Sequence, residues 1–530
     1  MSAAAVPLDG AAFERPAINP WIIALAVTLA TFMEVLDTSI ANVALPHIAG
    51  GLSAGVDEST WVLTSYLVSN AIVLPLSGWL SSIMGRKRFY MSCVALFTLS
   101  SFLCGFATSL PMLIVFRVMQ GVGGGGLQPS EQAILADTFP PAKRGMAFAV
   151  YGVAVVTAPA LGPTLGGWIT DNYSWRWIFF INIPVGILSL LLTSRLIHDP
   201  SYFRRRKLSE TRIDYIGLGM VALGLGTLQV ILDKGQRDDW FSSHFIVTLS
   251  VVSAASLIFV IFWEWYHKDP IIDLHLFKQR TFAAANFLMF MLGFVLLGST
   301  LLLPLFMQTE LGYTAERAGL ALTPGGLLIM AVLPFVGFLL SKYDARRLMV
   351  FGLATLALAL FHMTHFDLQM DFHTAMMARI YQASGLAFLF VPINTAAYAY
   401  LPREKNNAAS GLMNLARNIG GSVGISFVTT MLERRQQFHR VQLASHLSGA
   451  NPDLRNTLAG MASAISSHGG TSSADAMHKA YALLESVIVR QATMLAYIDC
   501  FWLLAVSSVV MIPLVFVMKK TRAGGGMAAH

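Results

Sequence analysis

The chain has 530 residues, of which 55% are hydrophobic and only 12% are charged, and its mean hydropathy is +0.61. These values exclude an ordinary soluble protein and predict a polytopic membrane protein. The formal net charge of +7 does not indicate nucleic-acid binding, because the basic residues fall between apolar stretches instead of on one folded face.

Apolar windows of about 20 residues, the length that crosses a ~30 Å hydrocarbon core, recur along the whole chain. They predict an all-α protein with fourteen membrane spans. We place these spans at 21–46, 60–83, 89–108, 110–136, 146–169, 177–198, 214–232, 243–264, 282–307, 317–341, 347–366, 374–400, 407–432 and 496–518.

The connections between the spans alternate in charge. Most basic residues follow even-numbered spans, in the stretches GRKR, PPAKR and FRRRK and around Lys278, Arg346 and Arg403. Because cytoplasmic loops carry the excess of Lys and Arg, we expect these connections and both chain termini in the cytoplasm.

The first span carries two carboxylates, Glu34 and Asp37, which are three residues apart and therefore share one helical face. A charge at the centre of a membrane helix costs about 2.5 to 3.5 kcal/mol, so such residues usually line a cavity or mark a proton path. Two acids this close also disfavour double ionisation, which suits a proton carrier. The alternative for Asp37 is a purely structural ion pair with a neighbouring helix.

Arg117 in the fourth span is the expected partner of Asp37. At 1.5 Å per residue, Arg117 lies ~9 Å below the outer end of its span and Asp37 lies ~13 Å below Pro46, so their depths match. Separating such a pair, or inserting a cationic substrate between its members, would couple proton binding to transport. The alternative is that Arg117 extends to the interface and pairs with nothing.

An internal repeat indicates two halves with one plan. RVMQG at Arg117 matches RIYQA at Arg379, and Pro140 matches Pro402, each pair 262 residues apart. Near them, GWLSSIMGRKRF parallels GFLLSKYDARRL. Six spans fall in each half and two, near 214–232 and 243–264, fall between them. Such repeats are typical of transporters whose halves rock about a central site.

The fifth span contains GVAVVTAPALGPTLGGW, in which small residues at four-residue spacing allow close helix contact and two prolines bend the helix. We expect it to form a gating contact between the two halves, and ordinary tight packing is the alternative. The residues of this predicted gate are Gly152, Pro159, Gly162, Pro163, Gly166 and Gly167.

The second span ends in a basic turn. We expect Gly78, Gly85, Arg86 and Lys87 to form a cytoplasmic latch that binds helix ends and the acid Asp137. The alternative is that the basic turn only sets the topology.

Other polar residues inside the spans are candidates for a substrate cavity. Arg417 gives the strongest signal, because it lies about ten residues inside its span. The predicted cavity residues are Gln120, Glu131, Arg379, Asn394, Asn414 and Arg417.

We expect no metal or nucleotide cofactor, because the sequence has neither a His/Cys cluster nor a P-loop. We expect Cys93, Cys104 and Cys500 to be buried small side chains.

The predicted domains are a cytoplasmic tail at 1–20, a six-helix bundle at 21–198, a basic linker with two extra spans at 199–281, a second six-helix bundle at 282–518 and a cytoplasmic tail at 519–530. The second bundle includes a long polar connection at 433–495. Long connections are often functional, so we expect helical extensions that meet a partner there, and a tether without a partner is the alternative.

The motifs LDTSIANVALP, GWLSSIMGRKR, RVMQG and GPTLGG are similar to the successive motifs of the major facilitator superfamily. The two extra central spans resemble its fourteen-span drug:proton antiporters, and GYTAERAGLALTPGG, DWFSS and NPDL resemble the EmrB-type multidrug exporters of Gram-negative bacteria. The resemblance covers nearly the whole chain. The stretch ending in GPTLGG is its most specific part, because it is similar to the antiporter signature.

The resemblance implies two pseudo-symmetric six-helix bundles in the bacterial inner membrane, which export hydrophobic or amphiphilic toxic compounds in exchange for protons. It also implies a periplasmic membrane-fusion adaptor and an outer-membrane channel as partners in a tripartite pump. Asp37 falls on the first-span acid of the family and Arg117 on its fourth-span arginine. Where the family usually has Asp in the basic turn this chain has Ser82, so the predicted latch is weaker here or uses Asp137.

Two other functions remain open from the sequence. One is proton-driven export of a single endogenous metabolite, such as a siderophore or a fatty acid. The other is a membrane sensor or a lipid-modifying enzyme without transport activity. This second alternative would need a soluble sensing domain or a clustered nucleophile and base, and the sequence contains neither.

Overall fold

The computed structural model describes residues 19–199, 214–267, 269–445, 447, 452–469 and 472–520, which form helices and turns without a strand. The predicted basic stretch FRRRK and most of the two predicted tails lie outside these residues. The helices are α1 (Pro20–Gly51), α2 (Val56–Ser59), α3 (Trp61–Met84), α4 (Arg86–Gly105), α5 (Leu110–Gly124), α6 (Leu127–Thr138), α7 (Pro141–Asn172), α8 (Trp177–Phe180), α9 (Asn182–Leu196), α10 (Tyr215–Lys234), α11 (His244–Tyr266), α12 (Arg280–Thr309), α13 (Ala315–Leu339), α14 (Ala345–Met363), α15 (Phe372–Tyr398), α16 (Asn406–Ser445), α17 (Pro452–Gly469), α18 (Ser473–Val510) and α19 (Ile512–Val515).

Each predicted span coincides with a helical segment, and among the described residues twelve segments are long and apolar enough to cross a membrane. A thirteenth is α7, which bends by 43° between Pro159 and Thr164, where proline removes backbone hydrogen bonds. The predicted span at 407–432 lies in α16. This helix is more polar because its buried Asn407, Ser410 and Asn414 face other helices instead of lipid.

Successive long helices run in opposite directions, so the turns between them lie alternately at the two ends of the bundle. We call the end with the turn at Gly85 the basic end and the opposite end, with the turn between Gly51 and Thr60, the far end. Both ends of the described chain lie at the basic end: the ring of Trp21 contacts that of Phe139, and Arg346 Nη1 donates to the carbonyl oxygen of Met518.

The N-terminal half consists of α1 to α9, and the C-terminal half of α12 to α19. The two halves meet at the basic end. Asn407 Nδ2 donates to Ser81 Oγ at 2.7 Å, and a Cβ atom added at Gly78 would lie only 2.7 Å from the Cα atom of Ala408. On the other side of the bundle, Gly145 of α7 packs against Leu340, just past α13. These contacts close the basic end of the bundle.

The extra helices α10 and α11 pack against each other beside the seam where α3 of one half meets α16 of the other. On the side of α3, Thr64 donates to Asp233. On the side of α16, Gln229 Nε2 donates to Ser422 Oγ at 3.0 Å, and Trp240 Nε1 donates to Thr430 Oγ1 at 2.9 Å. The pair therefore holds both halves at this seam.

The long polar connection at 433–495 is helical over most of its described residues. Both α16 and α18 continue beyond the predicted spans at the far end, and α17 lies between them in the chain. Asp499 joins the two long helices, since its Oδ2 atom lies 2.5 Å from Arg435 Nε and 2.7 Å from His439 Nε2. The three cysteines are buried, as predicted, and none of them forms a disulfide within the described structure.

Candidate functional site

Asp37 of α1 and Arg117 of α5 form a buried ion pair, with 2.6 Å between Oδ2 and Nη1 and side chains that are 1% and 0% exposed. The other carboxylate oxygen, Oδ1, accepts hydrogen bonds from Gln120 Nε2 at 3.0 Å and from Asn182 Nδ2 at 2.7 Å. The expected partner thus lies beside Asp37, and three donors satisfy the carboxylate. Arg117 does not extend to the interface.

The guanidinium of Arg117 is held on several sides. Nε donates to the carbonyl oxygen of Val62 at 3.1 Å, Nη1 also donates to Gln120 Oε1 at 2.8 Å, and Cζ lies 4.4 Å from the centre of the Tyr66 ring. The remaining nitrogen, Nη2, is buried without a hydrogen-bond partner among the described residues. One nitrogen of the Arg117 guanidinium therefore makes no hydrogen bond within the described structure.

Glycine brings α5 close enough to α3 for these contacts. A Cβ atom at Gly121 would lie 2.4 Å from the carbonyl oxygen of Tyr66 and 2.0 Å from Ser69 Oγ, distances at which no side chain fits. The backbones of the two helices meet here, so Arg117 reaches the ring of Tyr66.

Glu34 lies in a second polar cluster next to the first. Its Oε1 atom accepts from Tyr66 OH and Asn70 Nδ2, both at 3.3 Å, and Oε2 accepts from Gln128 Nε2 at 3.0 Å. Gln128 Oε1 in turn accepts from Arg417 Nη2 of the C-terminal half. Tyr66 contacts both acidic clusters, so one polar network runs from Asp37 across the seam to Arg417.

Glu131 was predicted to line the substrate cavity, but in this structure it does not line an open cavity. It is fully buried between α1 and α6, where its carboxylate oxygens accept hydrogen bonds from Thr28 Oγ1 at 2.6 Å and from Thr31. It forms no ion pair with any residue that the structure describes.

The other predicted cavity residues are also distributed over separate contacts. Asn414 Nδ2 donates to Gln132 Oε1 at 3.1 Å across the seam, whereas Asn394 bonds within its own helix to the carbonyl oxygen of Phe390. Gln120 belongs to the Asp37 cluster, and Arg379 lies in the C-terminal half. Of the predicted set only Arg417 is partly exposed, so these residues do not line a common cavity in this conformation.

The predicted latch is assembled only in part. Arg86 and Asp137 form a buried ion pair, and Asn406 Nδ2 of the other half donates to Asp137 Oδ1 at 2.8 Å. Lys87 does not take part: its Nζ atom donates to the carbonyl oxygen of Ser194, within the same half. Ser82 Oγ donates to Trp79 O in its own helix, so Asp137 supplies the acid of the contact.

Only one end of the predicted gate contacts the other half. Gly152 faces Leu333 and Phe390 of the C-terminal half, whereas Gly162 and Gly166 pack against α1, where a Cβ atom at Gly162 would lie 2.2 Å from Ser39 Oγ. The expectation of a contact between the halves is therefore wrong for Gly162 and Gly166. The reason is the bend of α7, which carries its far end towards α1.

Two further gate residues have few neighbours. Pro159 is exposed and accepts a hydrogen bond at its carbonyl oxygen from Ser39 Oγ, and a Cβ atom at Gly167 would meet nothing within 4 Å. The side chain of Pro163 lies outside the described part of the structure.

Sequence reasoning missed Tyr66, Asn70, Asn182 and Gln128. Each of these carries a polar side-chain group inside an apolar span, a signal of the kind that marked Glu34 and Asp37. Among the described residues no group of His, Cys, Asp and Glu is arranged to bind a metal ion.

Comparisons with known proteins agree with this architecture. The model of the Major Facilitator Superfamily matches residues 27–425. The chain is 37% identical over 527 residues to the multidrug export protein EmrB of Escherichia coli (strain K12), with 99% of each chain covered, and 38% identical over 523 residues to the fatty acid resistance protein FarB of Neisseria gonorrhoeae, with 98% of this chain and 99% of that protein covered.

A solved structure of the proton:xylose symporter XylE superposes with a TM-score of 0.61 at 14% identity, over 95% of this chain and 97% of that one, which supports the fold alone. The family consists of transporters, not enzymes. The chain belongs to the major facilitator superfamily.

Proposed function

We propose that this protein is a proton-coupled multidrug efflux antiporter of the bacterial inner membrane. It exports hydrophobic or amphiphilic toxic compounds by alternating access. The observation that carries the proposal is the buried Asp37–Arg117 pair, which a polar network joins to the opposite half of the molecule. The names of the relatives, multidrug export and fatty acid resistance proteins, support export of toxic compounds.

The proposed coupling follows from the charges at Asp37. Without a proton, the carboxylate holds Arg117 by a short ion pair. A proton that arrives at Asp37 removes the negative charge, so the guanidinium loses its counter-ion and leaves its position over Tyr66. Because Tyr66 also donates to Glu34, the movement changes the contact that Gln128 makes with both Glu34 and the other half.

The basic end must open for a compound to enter from the cytoplasm. The excess of Lys and Arg assigns this end to the cytoplasmic side in our proposal. Its closure depends on the Arg86–Asp137 pair, on the hydrogen bond from Asn406 to Asp137 and on the contact of Gly78 with α16. We infer that these contacts break in the inward-facing state and form again when the compound is released on the other side.

The extensions of α16 and α18, with α17, form the proposed docking site for a periplasmic adaptor, which would join the protein to an outer-membrane channel. Their length beyond the predicted spans and the ion pairs at Asp499 support a stiff projection. Val441 and Tyr481 on it are 69% and 56% exposed, and we propose that the adaptor covers them.

A second candidate, export of a single endogenous carboxylate such as a fatty acid, is favoured by the relative named a fatty acid resistance protein. It uses the same coupling and differs only in the breadth of the substrates.

Purified protein in proteoliposomes, with an imposed pH gradient and a panel of dyes, tests the proposal. Asp37→Asn should abolish efflux driven by the pH gradient, because the amide cannot exchange a proton, while the protein remains inserted. Asp171→Asn is the matched control, since that acid is 69% exposed at the far end. Undiminished proton release by the Asp37→Asn protein on addition of substrate would refute the assignment of proton coupling to Asp37.

A further inference from the structure

The C-terminal half contains a counterpart of the Asp37 cluster. Arg379 Nη1 donates to Gln382 Oε1 at 2.6 Å, as Arg117 Nη1 donates to Gln120 Oε1 at 2.8 Å. Both arginines lie seven residues after the first residue of their helices, α15 and α5. The two halves therefore place an Arg–Gln pair at the same depth.

The counterpart differs at the position of the acid. Gln120 Nε2 donates to the carboxylate of Asp37, whereas Gln382 Nε2 donates to the hydroxyl of Ser299. Ser299 follows Asp37 by 262 residues, the separation that also relates the two glutamines and the two arginines. Ser299 thus occupies the place of the acid, and the cluster has lost its negative charge.

Arg379 is consequently a buried cation without an acid. It is 7% exposed, it forms no ion pair with a described residue, and its Nε atom is buried without a hydrogen-bond partner. Asp499, an acid of the same half, is engaged by Arg435 and His439. An unpaired buried charge is strongly unfavourable, and an ionisable residue inside a membrane protein usually marks a substrate path.

Arg379 is closely packed, and an apolar gap lies farther along the same helices. A Cβ atom at Gly325 of α13 would lie 2.8 Å from Arg379 Cγ, so only glycine lets the side chain pass here. This narrow, mainly apolar gap begins one helical turn from Ser299, extends towards the basic end, and lies between α12, α14, α15 and the end of α18. It is lined by Leu292, Val295, Met349, Leu356, Leu389 and Met511. Flexible methionines allow such a gap to widen around an alkyl chain.

We propose that Arg379, Gln382 and Ser299 form a binding site for the carboxylate of an anionic amphiphile. The bound carboxylate takes the position that Asp37 has in the N-terminal half, where arginine and amide donors surround a carboxylate. The alkyl chain of the ligand extends into the apolar gap. This inference rests on the proposed export function and assigns one substrate class to a site separate from the proton-coupling pair.

The test compares two probes that share a twelve-carbon chain and differ in charge, laurate and dodecyltrimethylammonium. Binding of each to the full-length protein in nanodiscs is measured by equilibrium dialysis, with empty nanodiscs as background. Arg379→Gln should weaken laurate binding by at least about tenfold, the loss expected for one charge-assisted contact. Binding of the cation should be unchanged, because it does not use the guanidinium.

Ser299→Asp provides an independent test that retains Arg379. The new carboxylate should pair with Arg379 and exclude laurate, again with a loss of at least about tenfold. Ser299→Ala removes one neutral hydroxyl of the site without adding an acid, so it should weaken laurate binding only slightly, by up to about threefold, and clearly less than Ser299→Asp does. Retained binding of the cation reports that each variant is folded.

Laurate binding to the wild type no tighter than to empty nanodiscs would overturn this inference, and so would unchanged laurate binding in Arg379→Gln and Ser299→Asp. Failure of the antiport proposal gives a different result. In that case neither probe is moved by a pH gradient in proteoliposomes, while laurate binding still depends on Arg379.

Discussion

The guanidinium of Arg117 lies over the ring of Tyr66, 4.4 Å from its centre, while the hydroxyl of the same tyrosine donates to Glu34 at 3.3 Å. Tyr66 thus contacts both Arg117, the partner of Asp37, and Glu34. This relationship makes Tyr66 the physical link between the Asp37 pair and the seam between the halves.

Tyr66→Phe separates the two contacts of this side chain. The variant keeps the ring beneath Arg117 but removes the donor to Glu34, so we expect normal substrate binding and a transport rate lowered several-fold. Binding is measured in nanodiscs and transport in proteoliposomes with an imposed pH gradient. Transport at the wild-type rate would mean that the hydroxyl has no part in the coupling.

We predict that closure of the basic end depends on the ion pair between Arg86 and Asp137. Breaking a buried ion pair costs roughly 3 to 5 kcal/mol, so Arg86→Ala should weaken closure of the basic end and slow transport. Thiol labelling of Ala408→Cys, at the contact with Gly78, should become faster in this background. Ser82→Asp is the control and should be tolerated, and equal, full activity of both variants would remove the latch from the mechanism.

The packing of α7 against α1 gives a prediction with a control in the same motif. Gly162→Ala places a methyl group 2.2 Å from Ser39 Oγ, so the far end of α7 must move and transport should fall by at least about tenfold, as for other forced shifts of packed helices. Gly167→Ala meets no atom within 4 Å and should transport normally. The pair is compared at equal expression in a drug-efflux assay, and equal activity would contradict the prediction.

Glu131 is expected to be replaceable by its neutral isostere. Its described donors are two hydroxyls, and a hydroxyl can also accept a hydrogen bond from an amide, so Glu131→Gln should retain both folding and transport. Glu131→Leu should lower the thermal midpoint, because it leaves the hydroxyls of Thr28 and Thr31 without their acceptor. Loss of pH-driven transport in Glu131→Gln would instead make this residue a second proton carrier.

Deletion of the segment 451–473, which contains α17, tests the proposed docking site. The variant should co-purify less with a periplasmic adaptor but bind substrate as the wild type does, because the segment is remote from the Asp37 cluster. Co-purification is measured in membranes that contain both proteins. An undiminished yield of adaptor would exclude α17 from the contact.

The sequence predicted the partner of Asp37 because depth in a membrane helix follows directly from residue number. It predicted the relation of Arg117 to Arg379 for a similar reason, since a repeat preserves register. It did not predict that Gly162 and Gly166 would pack against α1, because the direction of α7 beyond its bend depends on the neighbouring helices.

The sequence by itself determined the order and approximate positions of the apolar helical segments, the two-fold repeat and the residues with charge inside the membrane. These features are local, because each follows from hydropathy over the thickness of a bilayer or from residue identity. Only the tertiary structure decided which polar groups meet: Tyr66 with Glu34, Gln128 with Arg417, and Ser299 in the place of an acid. Such pairings depend on how each helix is rotated about its axis, and packing against several other helices sets that rotation.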